Sequence, residues 1–190
     1  NEGVGRYLGG GEESYGFLAE DFCRDKDAVS AISLMAEALA WAKTKNMNFL
    51  QMLQDIYIKY GYSHEAGISL VRKGKTGAEE IVAIMKSFRE NPPKQLAGSD
   101  VVTVKDYADL NMKNLKTGEI TKMDMPTTSN VLQFFTADGT KVSIRPSGTE
   151  PKIKFYVEVK GEMKTNADYA KANNEANAKI EAIKKDLGID

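Results

Sequence analysis

Cysteine occurs once, at Cys23, so no intrachain disulfide can form. A chain of 190 residues can bury roughly 70% of the surface its unfolded form exposes and needs no such framework. One thiol also suits a reducing compartment. Neither sign of charge prevails: 26 basic and 27 acidic residues leave a net charge of −1. That balance denies the chain the global positive field used in nonspecific nucleic-acid binding. No apolar run approaches the ~20 residues of a membrane-spanning helix, and no charged-then-apolar leader opens the chain. Internal repeats and low-complexity segments are missing as well. With 42% hydrophobic residues, the collagenous and disordered classes are excluded. The expectation is a soluble, cytoplasmic globular protein with neither a nucleic-acid nor a membrane partner. An initiator methionine is also lacking. Asn1-Glu2-Gly3-Val4-Gly5 opens directly into a glycine-rich stretch, which reads as a piece whose upstream neighbour has been removed.

What is present divides near Gly61. Asp27 can cap a helix running to about Lys45, with Val29, Ile32, Ala36 and Leu39 on one face. Asn48 can cap a second helix, carrying Phe49, Leu53, Ile56 and Tyr60 and ended by Gly61. Two adjacent amphipathic helices with little sheet of their own predict that residues 1–60 are the tail of a larger α/β unit, packed against something upstream. Beyond Gly61 the pattern is β-α-β-β-β-α. Strands are expected at 67–73, 101–105, 131–136 with 141–145, and 154–159. Thr76-Gly77-Ala78-Glu79 forms a capping box that opens a helix ending at Asn91-Pro92-Pro93. A last helix spans about 166–187, and residues 107–129 read as an exposed excursion. The spacing predicts an α+β unit over 61–190: a four-stranded, mostly antiparallel sheet with two helices on one face, preceded by a helical remnant of an α/β domain.

The sharpest chemical segment is Arg145-Pro146-Ser147-Gly148-Thr149-Glu150-Pro151-Lys152, between two expected strands. Arg145 offers a planar fork of donors, and the Ser147 and Thr149 hydroxyls add one each. Gly148 lets consecutive N–H groups form a concave anion nest, and flanking prolines limit the ordering entropy lost on binding. Glu150 would repel a phosphate, so it is expected to turn towards Lys152 or Arg145. From the residues alone the segment is either a phosphate cradle or a Pro-Ser-Gly hairpin turn with incidental charges.

Gly11-Glu12-Glu13-Ser14-Tyr15-Gly16 places two carboxylates and a hydroxyl on a glycine-framed loop, able to bind the hydroxyls of a sugar ring. The alternative is a solvated acidic turn. A glycosidase acid and base pair is disfavoured, since those carboxylates must flank a bond about 5–9.5 Å apart. Ser63-His64 holds the only histidine, but adjacency does not make a nucleophile and base, and the pair reads as interdomain linker. Glu20, Asp21, Asp25 and Asp27 lack the spacing and central glycine of a calcium loop. Of Phe134, Phe135, Phe155 and Tyr156, each adjacent pair points to opposite strand faces, which argues against an RNA-stacking platform.

The two loops, in this order and separated by the helix pair and the β-α-β-β-β-α unit, resemble the C-terminal portion of an α-D-phosphohexomutase of the phosphoglucomutase/phosphomannomutase family. The resemblance implies that 1–60 ends the third, sugar-recognition domain and that 61–190 is the fourth, phosphate-binding domain. It implies that Glu12 and Ser14 hold sugar hydroxyls while Arg145, Ser147, Gly148 and Thr149 grip the substrate phosphate. In such an isomerase a phosphoserine donates its phosphoryl group to a hexose 1-phosphate, and the bisphosphate turns end for end before returning the other phosphate. The resemblance further implies Mg2+ and a glucose 1,6-bisphosphate-type activator for the full-length enzyme. The expected partners are a phosphosugar and the upstream domains of the same polypeptide. Neither the Thr-Ala-Ser-His-Asn-Pro nucleophile loop nor the Asp-x-Asp-x-Asp magnesium loop of that family occurs in these 190 residues. This chain is therefore expected to hold no catalytic residue and no metal site, and to be inactive alone. Lys26-Asp27-Ala28-Val29-Ser30 and Tyr60-Gly61-Tyr62 resemble the branch with bacterial phosphoglucomutases and phosphopentomutase-like members. Glucose and mannose phosphates are the first expectation, and pentose phosphates the alternative. A noncatalytic phosphosugar-binding module is the reading from another class.

Overall fold

The computed structural model describes residues 7–12, 16–20, 25–72 and 74–189. Its internal contacts divide the chain into two units, Asn1–Ile56 and Tyr57–Asp190.

In the first unit β1 (Gly9–Gly11) and β2 (Phe17–Ala19) form an antiparallel hairpin pairing Gly9 with Ala19 and Gly11 with Phe17. The helix α1 (Ala28–Thr44) starts where its cap predicts. Asp27 keeps an extended backbone while its carboxylate accepts from the N–H groups of Val29 and Ser30, both at 3.1 Å. A reciprocal pair opens α2 (Phe49–Tyr60): the Gln51 N–H donates to Asn48 Oδ1 at 2.9 Å, and the Asn48 N–H donates to Gln51 Oε1 at 2.8 Å. Gly61, at φ 100°, ends it. Ala42 is the one buried residue of α1, while Val29, Ile32 and Trp41 are exposed. The last turn of α2 belongs to the second unit, where the Tyr57 ring meets Tyr62 edge-on, centroids 4.8 Å apart.

The second unit follows as β3 (Tyr62–Val71), α3 (Gly74–Glu90), β4 (Gln95–Leu96), β5 (Ser99–Asp106), β6 (Asn111–Asn114), β7 (Ile120–Lys122), β8 (Leu132–Thr136), β9 (Lys141–Pro146), β10 (Lys152–Gly161) and α4 (Tyr169–Leu187). The sheet runs β3-β10-β9-β8-β5-β6-β7, with β4 paired to β5, and every recorded pairing is antiparallel. The class is the α+β expected, but the sheet has eight strands in place of four. The excursion at 107–129 contributes β6 and β7, which carry almost no burial alternation and so leave no period in the sequence. A backbone ladder and the Asn114 side chain, accepting from the N–H groups of Lys116 and Thr117, hold that hairpin. Ser63-His64 is no linker: β3 starts at Tyr62 and pairs with β10 over ten residues. The helix α3 begins at Gly74, which places Thr76 inside its first turn and not at its cap.

One face of this sheet holds the core. Ile153, Phe155, Val157 and Val159 of β10 alternate inward with Val142 and Ile144 of β9 and Leu132 and Phe134 of β8. Each such side chain contributes about 1.5–3 kcal/mol of hydrophobic stabilisation. Ile81 and Met85 of α3 join this cluster with Ala172, Ala176, Ile180, Ile183 and Leu187 of α4, so both helices cover the same face. The Phe88 ring sits 6.0 Å from that of Phe134 and 6.1 Å from that of Phe155. Among the described residues of this unit, no helix covers the opposite face.

Candidate functional site

Residues 147–151 connect β9 to β10, and the register of those strands decides what stands at the loop's mouth. Pro146 pairs with Ile153 and Arg145 with Lys154. Ile144, Ile153 and Phe155 point into the core, so alternation sends Arg145, Lys152 and Lys154 to the helix-free face. Directly opposed residues have Cβ atoms about 4.5–5.5 Å apart, and like charges there destabilise the pairing. The Lys154 ammonium lies 5.9 Å from the centroid of the Tyr156 ring.

The loop is closed by its own backbone. The Ser147 N–H donates to the Lys152 carbonyl at 2.8 Å, the Lys152 N–H to the Glu150 carbonyl at 2.7 Å, and the Arg72 N–H to the Pro151 carbonyl at 2.8 Å. Ser147 Oγ accepts long hydrogen bonds from the N–H groups of Thr149, at 3.4 Å, and Glu150, at 3.3 Å. With both lone pairs so engaged, its one hydroxyl hydrogen is left to donate. Arg145, Gly148 and Thr149 are exposed, and Ser147 is half-buried. Gly148 does not take the left-handed conformation an alternating nest requires. A Cβ added there would meet nothing within 4 Å, so Gly148 supplies open space beside the loop. Glu150 turns to Lys152 and forms an ion pair with it. The Lys152 hydrogen bond, then its charge, holds the Glu150 carboxyl below its usual range.

In the first unit, the Glu12 N–H donates to the Gly16 carbonyl at 2.9 Å and closes the hairpin end. A Cβ at Gly16 would lie 2.3 Å from both Glu12 Oε1 and Lys26 Cδ, so the ends of these two flexible side chains would have to shift to admit one. Lys26 Nζ stands 3.9 Å from Glu12 Oε2. Ser14, with Glu13 and Tyr15, lies outside the described residues.

The remaining sequence candidates have structural uses. His64 Nε2 lies 3.1 Å from Asn177 Oδ1, and its ring is parallel to that of Tyr62, with centroids 6.4 Å apart. Asp27 caps α1, Asp25 binds Lys26, and Asp21 lies outside the described residues. Phe134 and Phe155 are core. Phe135, on the helix-free face, carries the Lys105 ammonium 5.0 Å from its ring centroid. Sequence reasoning missed Lys154, whose place across from Arg145 follows from strand register, took Lys152 only as a partner for Glu150, and read Lys26 only for family likeness.

Comparison with known proteins decides the family. Residues 69–176 match the model for the phosphoglucomutase/phosphomannomutase C-terminal domain, and residues 2–60 match that for alpha/beta/alpha domain III of the same proteins. The chain belongs to the phosphoglucomutase/phosphomannomutase family. It is 34% identical to a phosphoglucomutase of Staphylococcus saprophyticus over 166 residues, which are 87% of this chain and 29% of that protein. It is 38% identical to a phosphoglucomutase of Staphylococcus aureus over 149 residues, 78% of this chain and 27% of the relative. The chain thus spans just over a quarter of the length of these phosphoglucomutases. The solved open form of the Paramecium phosphoprotein pp63/parafusin aligns with 93% of this chain and 30% of its own, at 18% identity and a TM-score of 0.46, too loosely to carry an argument.

Proposed function

We propose that this chain is the substrate-binding C-terminal part of a phosphohexomutase, with the 145–152 loop as its grip on the substrate phosphate. One observation carries the reading: Arg145, Lys152 and Lys154 stand on one sheet face at the mouth of a single loop, beside the Ser147 hydroxyl. Arg145 and Lys154 stand directly opposite each other as like charges, and a phosphate dianion bound there would relieve that repulsion, with Lys152, paired to Glu150, at the same mouth. Arg145 would bridge two phosphate oxygens, Ser147 and Thr149 would donate from their hydroxyls, and Gly148 would leave room for the ligand. Glu12 and Ser14 would accept from and donate to the sugar hydroxyls on the other unit. A cradle that holds whichever phosphate is not reacting suits interconversion of hexose 1-phosphate and hexose 6-phosphate through a bisphosphate that binds both ways round.

The exposed apolar side chains of α1, together with the domain III match, support upstream domains of the same polypeptide as its partner. Magnesium would serve the phosphoryl transfer there. Among the described residues no three of His, Cys, Asp and Glu group as a metal site. By itself the chain binds without turnover: a coupled assay with glucose 1-phosphate, magnesium and the bisphosphate activator should stay at the buffer blank, and formation of glucose 6-phosphate above it would overturn that part of the reading.

The loop is tested by NMR titration of the chain with inorganic phosphate. Binding should be in the millimolar range, roughly −4 kcal/mol, with shifts centred on Gly148 and Thr149. Arg145→Ala should remove most of it, and Arg145→Lys should recover only part, because a point charge cannot bridge two oxygens. Shifts centred elsewhere, or undiminished in Arg145→Ala, would return the segment to an ordinary charged turn.

A further inference from the structure

Glu150 is the one member of the loop whose chemistry opposes a phosphate. Its carboxylate is committed to Lys152, and Lys152 is also the residue that closes the loop, through its carbonyl to Ser147 and its N–H to Glu150. Resting on the reading of this loop as the phosphate grip, we propose that Glu150 is a tethered competitor: it occupies the Lys152 ammonium until a phosphate displaces it, and Lys152 then becomes a second cation on the bound phosphate beside Arg145.

The asymmetry of the pair favours this exchange. The Lys152 side chain is 28% exposed and that of Glu150 59% exposed. The carboxylate can therefore swing into water at little desolvation cost while the ammonium stays at the mouth. Pro146 and Pro151 limit the backbone, and the Arg72 N–H anchors the Pro151 carbonyl, so the exchange needs only a side-chain rotation of Glu150. A phosphate carrying a charge between −1 and −2 outcompetes one carboxylate when it is present. When it leaves, the tethered carboxylate is already at hand to refill the site. The consequence is a grip held weaker than its cations alone would make it, as suits a bisphosphate that must leave this loop and return by its other end.

The test is phosphate affinity of the whole chain at constant ionic strength, for the parent sequence, Glu150→Gln, Lys152→Met and the double variant. Amide spectra serve as a check that each is folded. Removing the competitor should tighten phosphate binding about two- to fivefold, the scale of an exposed ion pair. Lys152→Met should weaken binding, and in that background Glu150→Gln should change nothing. Equal tightening in both backgrounds would make Glu150 a source of general repulsion acting independently of Lys152, and unchanged or weaker binding in Glu150→Gln would make it no competitor at all. Either result overturns the proposal while leaving the loop as the phosphate site. If instead Arg145→Ala leaves phosphate binding at full strength, the reading of the loop fails and takes this proposal with it.

Discussion

The helices α1 and α4 are nearly equal in length, at 17 and 19 residues; α4 carries an apolar stripe at helical spacing, whereas α1 is apolar on most of its sides. Their surroundings differ completely. Five residues of α4 are buried, against Ala42 alone in α1. Ile32 is 71% exposed and Ile183 fully buried. The difference lies in the sheet. The inward residues of β8, β9 and β10 in the second unit form a continuous apolar face that α4 covers, whereas the described strands of the first unit are two three-residue segments. Amphipathic spacing reports which side of a helix wants cover, and only the tertiary partner decides whether cover exists.

The comparison breaks most visibly under truncation of core side chains. Phe155→Ala, at the centre of β10, should cost the second unit about 3–5 kcal/mol, from lost transfer free energy and the cavity left behind. Ile32→Ala in α1 should change stability within about 0.5 kcal/mol, as an exposed substitution does. Urea unfolding can follow the units separately because the only tryptophan, Trp41, lies in α1, while amide signals of β10 report on the second unit. Comparable costs for the two substitutions would mean that α1 is covered after all.

What could be read from the chain beforehand follows the same division between local and tertiary causes. The caps of α1 and α2 were legible because each is written within one turn. The 145–152 segment was legible as a connection between two strands, and β9 and β10 do flank it. Glu150 was expected to turn to Lys152 or Arg145, and it takes Lys152. The strands β6 and β7 were invisible because an edge hairpin polar on both sides carries no alternation. Ser63 and His64 passed for linker because only the long pairing with β10 places them in a strand. The helix-free face of the sheet could not be foreseen either: that Lys154 stands across from Arg145 is a fact of register, and a slip of one residue would have sent it into the core.

Acid sharpens the comparison by a smaller amount. On the helix-free face of the second unit, Glu158 accepts from both Lys141 and Lys160 with its carboxylate only 16% exposed. Burial would push this carboxyl up, but the hydrogen bonds from Lys141 and Lys160 outweigh it and bring it from 4.5 down to about 2. A carboxyl depressed on folding contributes stability that is present above its unfolded value and lost as the pH falls through the folded one. The window is therefore about 4.5 down to 2, and the loss is roughly 1–3 kcal/mol after allowing for partial exposure. Asp138 contributes in the same direction. Burial raises its carboxyl, while hydrogen bonds from Lys179 and Thr136 hold it well below the usual carboxylate range, so acid sensitivity extends below the Glu158 window. In the first unit the lowered carboxyls are those of Asp25, which is exposed, and Asp27, half-buried at the cap of α1 and held by local hydrogen bonds, so Trp41 fluorescence should show a shallower decline. Glu158→Gln separates the contributions: it should flatten the second unit's urea midpoint between pH 4.5 and 2 while leaving the Trp41 transition and the Asp138-driven loss in place. An unflattened midpoint in that variant would mean that the Lys141 and Lys160 pairs contribute nothing measurable, and the difference between the units would then rest on apolar burial alone.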